Sequence, residues 1–177
     1  FDILGFAVDE PGDEVILEKN NDGQVAIREI TGDGGALPLD VMKNTAGVVE
    51  KNFLDSMDSD QGIDIYLHKK MPLGSGLGSS AASSVAAVFA INELMGRPKS
   101  NMELLPYCME GERTACGAAH ADNVAPCLMG GFVLIRSYEP LDTIKLPTPD
   151  GLYASIIHPQ IEVKTKDARE ILRKEIY

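Results

Sequence analysis

The strongest constraint on this chain is a strand pattern that leads through a glycine-rich turn into an apolar helix. Residues 62–70 (GIDIYLHKK) alternate apolar and polar side chains, which is the period of a half-buried strand. Residues 72–78 (PLGSGLG) follow, with a glycine at every second position from 74 onwards. Residues 81–96 (AASSVAAVFAINELMG) are apolar on nearly every side and end in glycine. We therefore predict a strand–turn–helix unit whose helix lies in the core.

The glycines and serines of this turn indicate an anion site. Gly74, Gly76 and Gly78 permit positive φ and a close approach of a bulky ligand to the backbone. Their N–H groups, with those that open the helix, would form a set of donors at the positive end of the helix dipole. Ser79 and Ser80 add hydroxyl groups where a P-loop enzyme places its metal-binding Ser or Thr. The turn therefore predicts phosphate binding.

Three better-known glycine motifs do not fit this turn. A Walker motif needs a lysine after its last glycine, and no lysine lies between Met71 and Pro98. The dinucleotide fingerprint needs two residues between its second and third glycines, whereas only Leu77 stands there. A nucleophile elbow fails because Ala82 occupies the position of its last glycine. A tight connection whose small residues only permit close packing stays open as the alternative.

Further strand patterns surround this unit. Residues 14–20 and 24–30 both have strand character, and the Asn-Asn-Asp-Gly segment at 20–23 is a turn signal between them. The simplest arrangement of the two is a β-hairpin. Strands are also predicted over residues 1–8, 130–138 and 152–159.

Helix patterns lie between these strands. Residues 39–57 have helical spacing of their apolar positions, and the chain is expected to be helical again after Pro106, a residue tolerated in a first turn. Residues 165–172 predict a further helix, with Thr165 placed to cap it. Strands first, with helices interspersed, favour an α+β sandwich over an alternating parallel sheet.

Charge and hydropathy exclude two classes of partner. The 177 residues carry a formal net charge of -11, which is opposite to what a nucleic-acid backbone requires. No apolar run is long enough to span a bilayer, and no secretory signal pattern is found, so we expect no membrane partner and a cytoplasmic location. Three cysteines without a CxxC pair fit reduced thiols.

Several motifs together resemble a known family. The segment PLGSGLGSSAA at residues 72–82 is similar to the second motif of the GHMP kinases, which include galactokinase, mevalonate kinase and homoserine kinase. Four further segments resemble the homoserine kinases in particular: FDILGFA (1–7), HADNVAP (120–126), GGF (130–132) and VKTKDAR (163–169). The resemblance runs in the same order from the first residue to the last.

The resemblance implies an α+β fold like domain 2 of ribosomal protein S5, a two-layer sandwich with a left-handed βαβ crossover. It assigns residues 1–150 to an ATP-binding N-terminal domain and residues 151–177 to the start of an incomplete C-terminal domain. It also implies a phosphotransferase that moves the γ-phosphate of ATP to the hydroxyl of L-homoserine, giving O-phospho-L-homoserine in threonine biosynthesis, with ATP and Mg²⁺ as cofactors. The alternative is another small-molecule kinase of the family, mevalonate or sugar kinase-like. A homodimer is left open.

The family's site residues carry over position by position. The loop implied to wrap the ATP phosphates consists of Pro72, Leu73, Gly74, Ser75, Gly76, Leu77, Gly78, Ser79, Ser80, Ala81, Ala82 and Ser83. The positions that resemble the Mg²⁺ ligands are Ser80 and Glu112. The positions implied to line the homoserine pocket are Asp2, His120, Asn123 and Arg169. The implied catalytic residues are Asn123, Arg169, Thr165 and Asp122, with Asp122 as the candidate general base.

Most of these residues also have a plain structural alternative. Taken alone, Glu112 is a solvated acid on a helix and Arg169 an exposed helical charge. Asn123 and Thr165 are suitable N-caps, and a lone histidine such as His120 more often satisfies a buried loop than binds a ligand. Charge stabilisation without a general base stays open as the chemistry of the site.

The chain departs from the family pattern at both ends. The glycine and asparagine that normally precede FDILG are absent with the first strand, and so is the C-terminal domain with the third glycine-rich motif. We therefore expect a fragment that is inactive alone. Two other classes of function remain as rivals: a serine hydrolase using Ser79 or Ser80 with His120 and an aspartate, and a phosphate-binding or interaction module without turnover.

Overall fold

The computed structural model describes residues 3–158, which form an α+β fold. Two small sheets and a layer of helices make up this part of the chain, as predicted. The strands are β1 (Leu4–Phe6), β2 (Glu14–Asn20), β3 (Val25–Thr31), β4 (Gly62–His68), β5 (Phe132–Tyr138) and β6 (Leu141–Leu146). The helices are α1 (Thr45–Ser56), α2 (Ser79–Leu94), α3 (Asn101–Cys116) and α4 (Val124–Met129), with a short 3₁₀ turn at Val41–Lys43.

Strand β4 is the centre of the first sheet, whose order is β2-β4-β3. It pairs antiparallel with β2 and parallel with β3, so the predicted hairpin between β2 and β3 is wrong. The chain does reverse at residues 20–24, where the Asn20 and Asp22 side chains accept backbone N–H groups. The two strands are nevertheless held apart, because the most apolar strand of the region inserts between them. Ile63 and Ile65 of that strand are completely buried.

The connection from β3 through α1 to β4 is a βαβ unit with parallel strands. The second sheet has the order β1-β5-β6, and both of its pairs are antiparallel. Strand β6 was not predicted. The sequence instead favoured a strand over residues 152–159, and of these, residues 152–158 have no strand or helix assignment.

Helix α2 is the central helix, as its composition predicts. It contacts α1, α3, α4 and strand β2, and Val88 and Ile91 are completely buried in the common core. Phe89 is the exception to the all-round burial, since about half of its surface is exposed. The glycine turn therefore leads into a helix that the rest of the fold holds in place.

Two helices begin at other residues than predicted. Helix α1 starts only at Thr45, because the Asn44 side chain accepts the N–H of Ala46 and caps the helix. Helix α3 starts well before Pro106, at a capping box in which Ser100 and Glu103 bond each other's side chains and backbone. No helix within residues 3–158 has the length and apolar character needed to cross a membrane.

Candidate functional site

The glycine turn (residues 72–78) has the backbone conformation that its composition predicts. Gly74, Gly76 and Gly78 have φ of 64°, 76° and 80°, a region that favours glycine. A Cβ atom built on Gly76 would meet no atom within 4 Å, so this part of the turn is open and not packed against the protein. The alternative in which the small residues serve only close packing is therefore not supported at Gly76.

The turn delivers the chain directly to the N-terminus of α2. Gly78 is the N-cap residue in a left-handed conformation, and within residues 3–158 no side chain caps this helix end. The first N–H groups of a helix have no partner inside the helix, and they lie at the positive end of its dipole. An anion bound above the turn would be a natural acceptor for them.

Helices α2 and α3 bring the two candidate metal ligands together. The hydroxyl of Ser80 donates to Oε1 of Glu112 over 2.6 Å, and Glu112 is buried where it faces the turn. The hydroxyl of Ser79 donates instead to the carbonyl of Met71 over 3.4 Å. Both serine protons are thus committed to acceptors other than histidine, which argues against a serine nucleophile activated by His120.

The donor set at Ser80 and Glu112 suits a hard divalent cation. Mg²⁺ prefers oxygen ligands and is usually bound through one or two protein oxygens, with phosphate oxygens and water completing its shell. A hydroxyl and a buried carboxylate beside an anion-binding turn match that description. Within residues 3–158 no group of three or more His, Cys, Asp or Glu side chains converges to form a metal cage. The residues present therefore fit Mg²⁺ that arrives with a phosphate ligand.

The polar loop between α3 and α4 (residues 117–123) faces the glycine turn. Asn123 lies against the turn, since its Oδ1 would be 3.4 Å from a Cβ built on Gly78. Its side chain does not cap α4; Nδ2 donates to Oδ2 of Asp122 over 3.3 Å instead. The capping alternative for Asn123 is therefore wrong. His120 and Asp122 also line the cleft between loop and turn.

Strands of the second sheet hold this polar loop in place. A Cβ atom built on Gly5 of β1 would be 2.1 Å from the carbonyl oxygen of Asp122, so only glycine fits there. At the end of β5, the hydroxyl of Tyr138 accepts the N–H of Ala121 over 3.3 Å. Within the FDILGFA segment, Gly5 thus supports the site through close contact of its backbone with the polar loop.

A single cleft joins the turn, the metal-ligand pair and the polar loop. Its volume is about 500 Å³, within the range of small-molecule sites. Of the implied phosphate-binding loop, the residues that line it are Leu73, Gly74, Ser75, Gly76, Gly78, Ser79, Ser80 and Ser83. The remaining members, which do not line it, are Pro72, Leu77, Ala81 and Ala82. The implied site residues Asp2, Thr165 and Arg169 lie outside the described residues and remain predictions.

The cleft also contains residues that the sequence did not single out. Leu37 and Pro38 form part of its wall next to Asn44, whose side chain caps α1 and donates to the carbonyl of Pro38. Lys69, one residue past the end of β4, lines the base of the cleft and forms a buried ion pair with Asp13. Lys69 lies three residues before the glycine turn, and this nearness was the one sequence signal that could have identified it; nothing in the sequence indicated Asp13.

Comparison with known proteins agrees with this geometry. Residues 40–131 match the family described as GHMP kinases N terminal domain. The homoserine kinase of Chlorobium phaeobacteroides (strain BS1) is 54% identical over 99% of this chain, and that of Methanococcus maripaludis is 44% identical over 99%. In both cases the chain covers 58% of the relative, so it spans less than two thirds of their length.

Solved structures share the fold. The crystal structure of homoserine kinase from Cytophaga hutchinsonii superposes with a TM-score of 0.97 and 62% sequence identity, covering 100% of this chain and 56% of that one. The mevalonate kinase of Methanococcus jannaschii, at 18% identity and a TM-score of 0.60, shares the fold alone. The range matched to the family takes in the glycine turn, the Ser80–Glu112 pair and the polar loop. The chain belongs to the GHMP kinase family and carries its N-terminal domain.

Proposed function

We propose that the full-length protein containing this chain is a homoserine kinase, which uses ATP and Mg²⁺ in the cytoplasm. The observation that carries the proposal is the hydrogen bond between Ser80 and Glu112 at the mouth of an open glycine turn. It brings a hydroxyl, a carboxylate and a set of backbone donors into one cleft, and such groups supply the positioning and charge stabilisation that phosphoryl transfer requires. A homodimer remains a prediction.

The nucleotide end of the cleft follows from the turn. The triphosphate would accept hydrogen bonds from the N–H groups at the start of α2, where the helix dipole favours negative charge. Leu37, Pro38 and Leu73 give the cleft an apolar wall that suits a flat base. Mg²⁺ held by Ser80 and Glu112 would neutralise charge on the phosphate oxygens.

The transfer itself needs little covalent chemistry from the protein. The hydroxyl oxygen of the acceptor forms a bond to the γ-phosphorus, and the bond from that phosphorus to the β,γ-bridging oxygen breaks, which releases ADP. The hydroxyl proton passes to Asp122 if this buried carboxylate of the cleft is the general base. In the alternative without a base, the hydroxyl proton passes to an oxygen of the transferred phosphoryl group and from there to solvent. The site then contributes positioning and charge stabilisation.

The acceptor side is assigned from the polar loop and from the relatives. His120 and Asn123 present polar groups to the cleft within reach of the glycine turn, which suits a small polar amino acid better than an apolar acid. Relatives that cover nearly all of this chain are named homoserine kinases at 54% identity. Asp2 and Arg169 are proposed to complete the substrate pocket.

The test measures ADP release by the full-length protein with ATP and Mg²⁺ across homoserine, mevalonate and shikimate. We expect turnover with homoserine only, and the absence of any homoserine-dependent signal would reject the proposal. Ser80→Ala and Glu112→Gln should each lower kcat by about a hundredfold or more, since each removes one oxygen of the proposed metal pair. The matched control is Glu110→Gln on the exposed face of the same helix, where Glu110 pairs with Arg113.

A further inference from the structure

A buried carboxylate outside the cleft connects both ends of the glycine turn. The side chain of Asp13, one residue before β2, is 0% exposed. Its Oδ1 accepts the backbone N–H of Lys70 over 3.0 Å and that of Met71 over 3.1 Å, where the chain enters the turn. Its Oδ2 accepts the hydroxyl of Ser83 over 2.7 Å, in the second turn of α2. One carboxylate therefore binds the chain before and after the turn.

Lys69 completes the connection. Its side chain is 1% exposed, and its ammonium donates to Oδ2 of Asp13, to the carbonyl of Ser79 over 2.9 Å, and to the hydroxyl of Ser83 over 2.7 Å. Lysine donates to serine, and serine donates in turn to the aspartate, so the donors and acceptors are consistent. Asp13 and Lys69 are 56 residues apart in the sequence, so the connection joins distant parts of the chain.

The glycines of the turn restrict its conformation only weakly, although the Ser79 hydroxyl also bonds the carbonyl of Met71. Three glycines in the left-handed region give the segment many alternative conformations, and a Cβ atom built on Gly76 would meet no atom within 4 Å. A ligand that has to order the turn on binding loses affinity, because ordering the turn costs conformational entropy. A turn that is already held at both ends reduces this loss of affinity. Fixing the distance between Met71 and Ser79 limits the shapes that the intervening residues can adopt.

We propose that Asp13 is a positioning residue, which with Lys69 pre-organises the glycine turn for phosphate. The inference rests on the proposed function and concerns the same site. A purely stabilising role is a poor explanation of the pair, because two buried charges lose their hydration and an apolar pair of similar size is often at least as stable. Burial indeed lowers the pKa of Lys69 below its ordinary value despite the neighbouring carboxylate.

The experiment uses the full-length protein and measures ADP affinity by calorimetry together with amide hydrogen exchange of residues 72–80. Asp13→Asn keeps an oxygen for the Lys70 and Met71 N–H groups but places an NH₂ group opposite two donors, Lys69 and Ser83. We expect this variant to bind ADP about tenfold more weakly or worse, and to exchange faster in the turn. Glu14→Gln is the matched control, since Glu14 pairs with Lys70 in the exposed position next door.

A second variant separates positioning from folding. Asp13→Leu combined with Lys69→Met replaces both buried charges by apolar side chains of similar size and removes the connection, while the Ser83 hydroxyl keeps the carbonyl of Ser79 as an acceptor, so this variant should recover much of the unfolding midpoint that Asp13→Asn loses. Weak ADP binding and fast exchange in this folded variant support the proposal; wild-type affinity and protection overturn it. If the wild-type protein itself binds no ADP, the proposed kinase function fails, and the exchange of residues 72–80 still decides the role of Asp13.

Discussion

The side chains of Asp13 and Glu50 are both completely buried, and their surroundings are opposite. Asp13, beside the base of the cleft, accepts four hydrogen bonds and pairs with an ammonium. Glu50, on the core face of α1, is 0% exposed, and neither of its oxygens has a hydrogen-bond partner within residues 3–158. Burial alone therefore says little about what a charged residue does. The partners decide whether the group holds neighbouring segments together or is kept neutral by the core.

The chemistry of Glu50 follows from that isolation. Its neighbours on the same helix, Val49 and Phe53, are completely buried, and α1 packs against α2 and α3. Removal from water raises the pKa of Glu50 well above its ordinary value of 4.5, because no partner stabilises the charge. Burial therefore favours the protonated form of Glu50, whereas Asp13 is paired with the ammonium of Lys69.

The largest expected effect is a loss of unfolding free energy when the ammonium that pairs with Asp13 is removed. Lys69→Met leaves Asp13 buried beside an apolar side chain, and uncoupling a buried pair in this way typically costs about 3–5 kcal/mol of unfolding free energy. Urea unfolding of the full-length protein measures the loss. The control is Lys70→Met, which removes the adjacent exposed ammonium. Equal stability of the two variants would contradict the view that burial distinguishes the pairs.

The second prediction concerns Glu50 and the pH dependence of the protein's stability. The pKa of Glu50 is raised in the folded state, so the folded protein holds a proton that the unfolded chain releases above its pKa of 4.5. Stability is therefore full below that pH and falls as the pH rises towards the folded pKa, by about 1.4 kcal/mol per pH unit. Glu50→Gln mimics the protonated acid and removes this loss, so its stability relative to wild type should increase as the pH rises above 4.5.

Thermal or urea unfolding from about pH 4 to pH 7 measures this difference. We expect wild type and Glu50→Gln to be similarly stable at the acid end and to diverge as the pH rises. Asp55→Asn is a suitable control on the same helix, because Asp55 pairs with Lys51 at the surface. A constant difference between wild type and Glu50→Gln at every pH would mean that folding does not change the pKa of Glu50, and would contradict this prediction.

The two carboxylates also show what the sequence can and cannot predict. Helical spacing places Glu50 on the apolar face of α1, with Ala46, Val49 and Phe53, yet its charge makes a surface position the ordinary expectation. The strand–turn–helix unit was predictable, because its glycines and its apolar helix are local signals. Asp13 was not, since its partners come from a segment 56 residues away and depend on the pairing of β2 with β4.

That pairing was itself a failure of local reasoning. The turn after Asn20 predicts a reversal, but only tertiary competition decides which strand fills the adjacent position. The inserted strand β4 places Lys69 and Lys70 opposite the start of β2, where Asp13 and Glu14 stand. The pairs that hold the base of the turn therefore exist only because the predicted hairpin does not form. In the same way, the second-sheet contacts that support the polar loop could not be inferred from single segments.

The smallest effect is expected for Glu14, which follows Asp13 at the start of β2 but has an exposed side chain. Its hydrogen bond and ion pair with the exposed Lys70 lower the pKa of Glu14, so any stabilisation is present above its ordinary pKa of 4.5 and is lost as the pH falls through the folded value. Water and salt screen such a pair, and we expect Glu14→Gln to unfold at the wild-type urea concentration near neutral pH. A large loss that persists in concentrated salt would show that the strand position, and not burial, makes a carboxylate important here. If Glu14→Gln is as stable as wild type while Lys69→Met is destabilised, the comparison would instead show that a charge pair fixes the local geometry only where it is buried away from water.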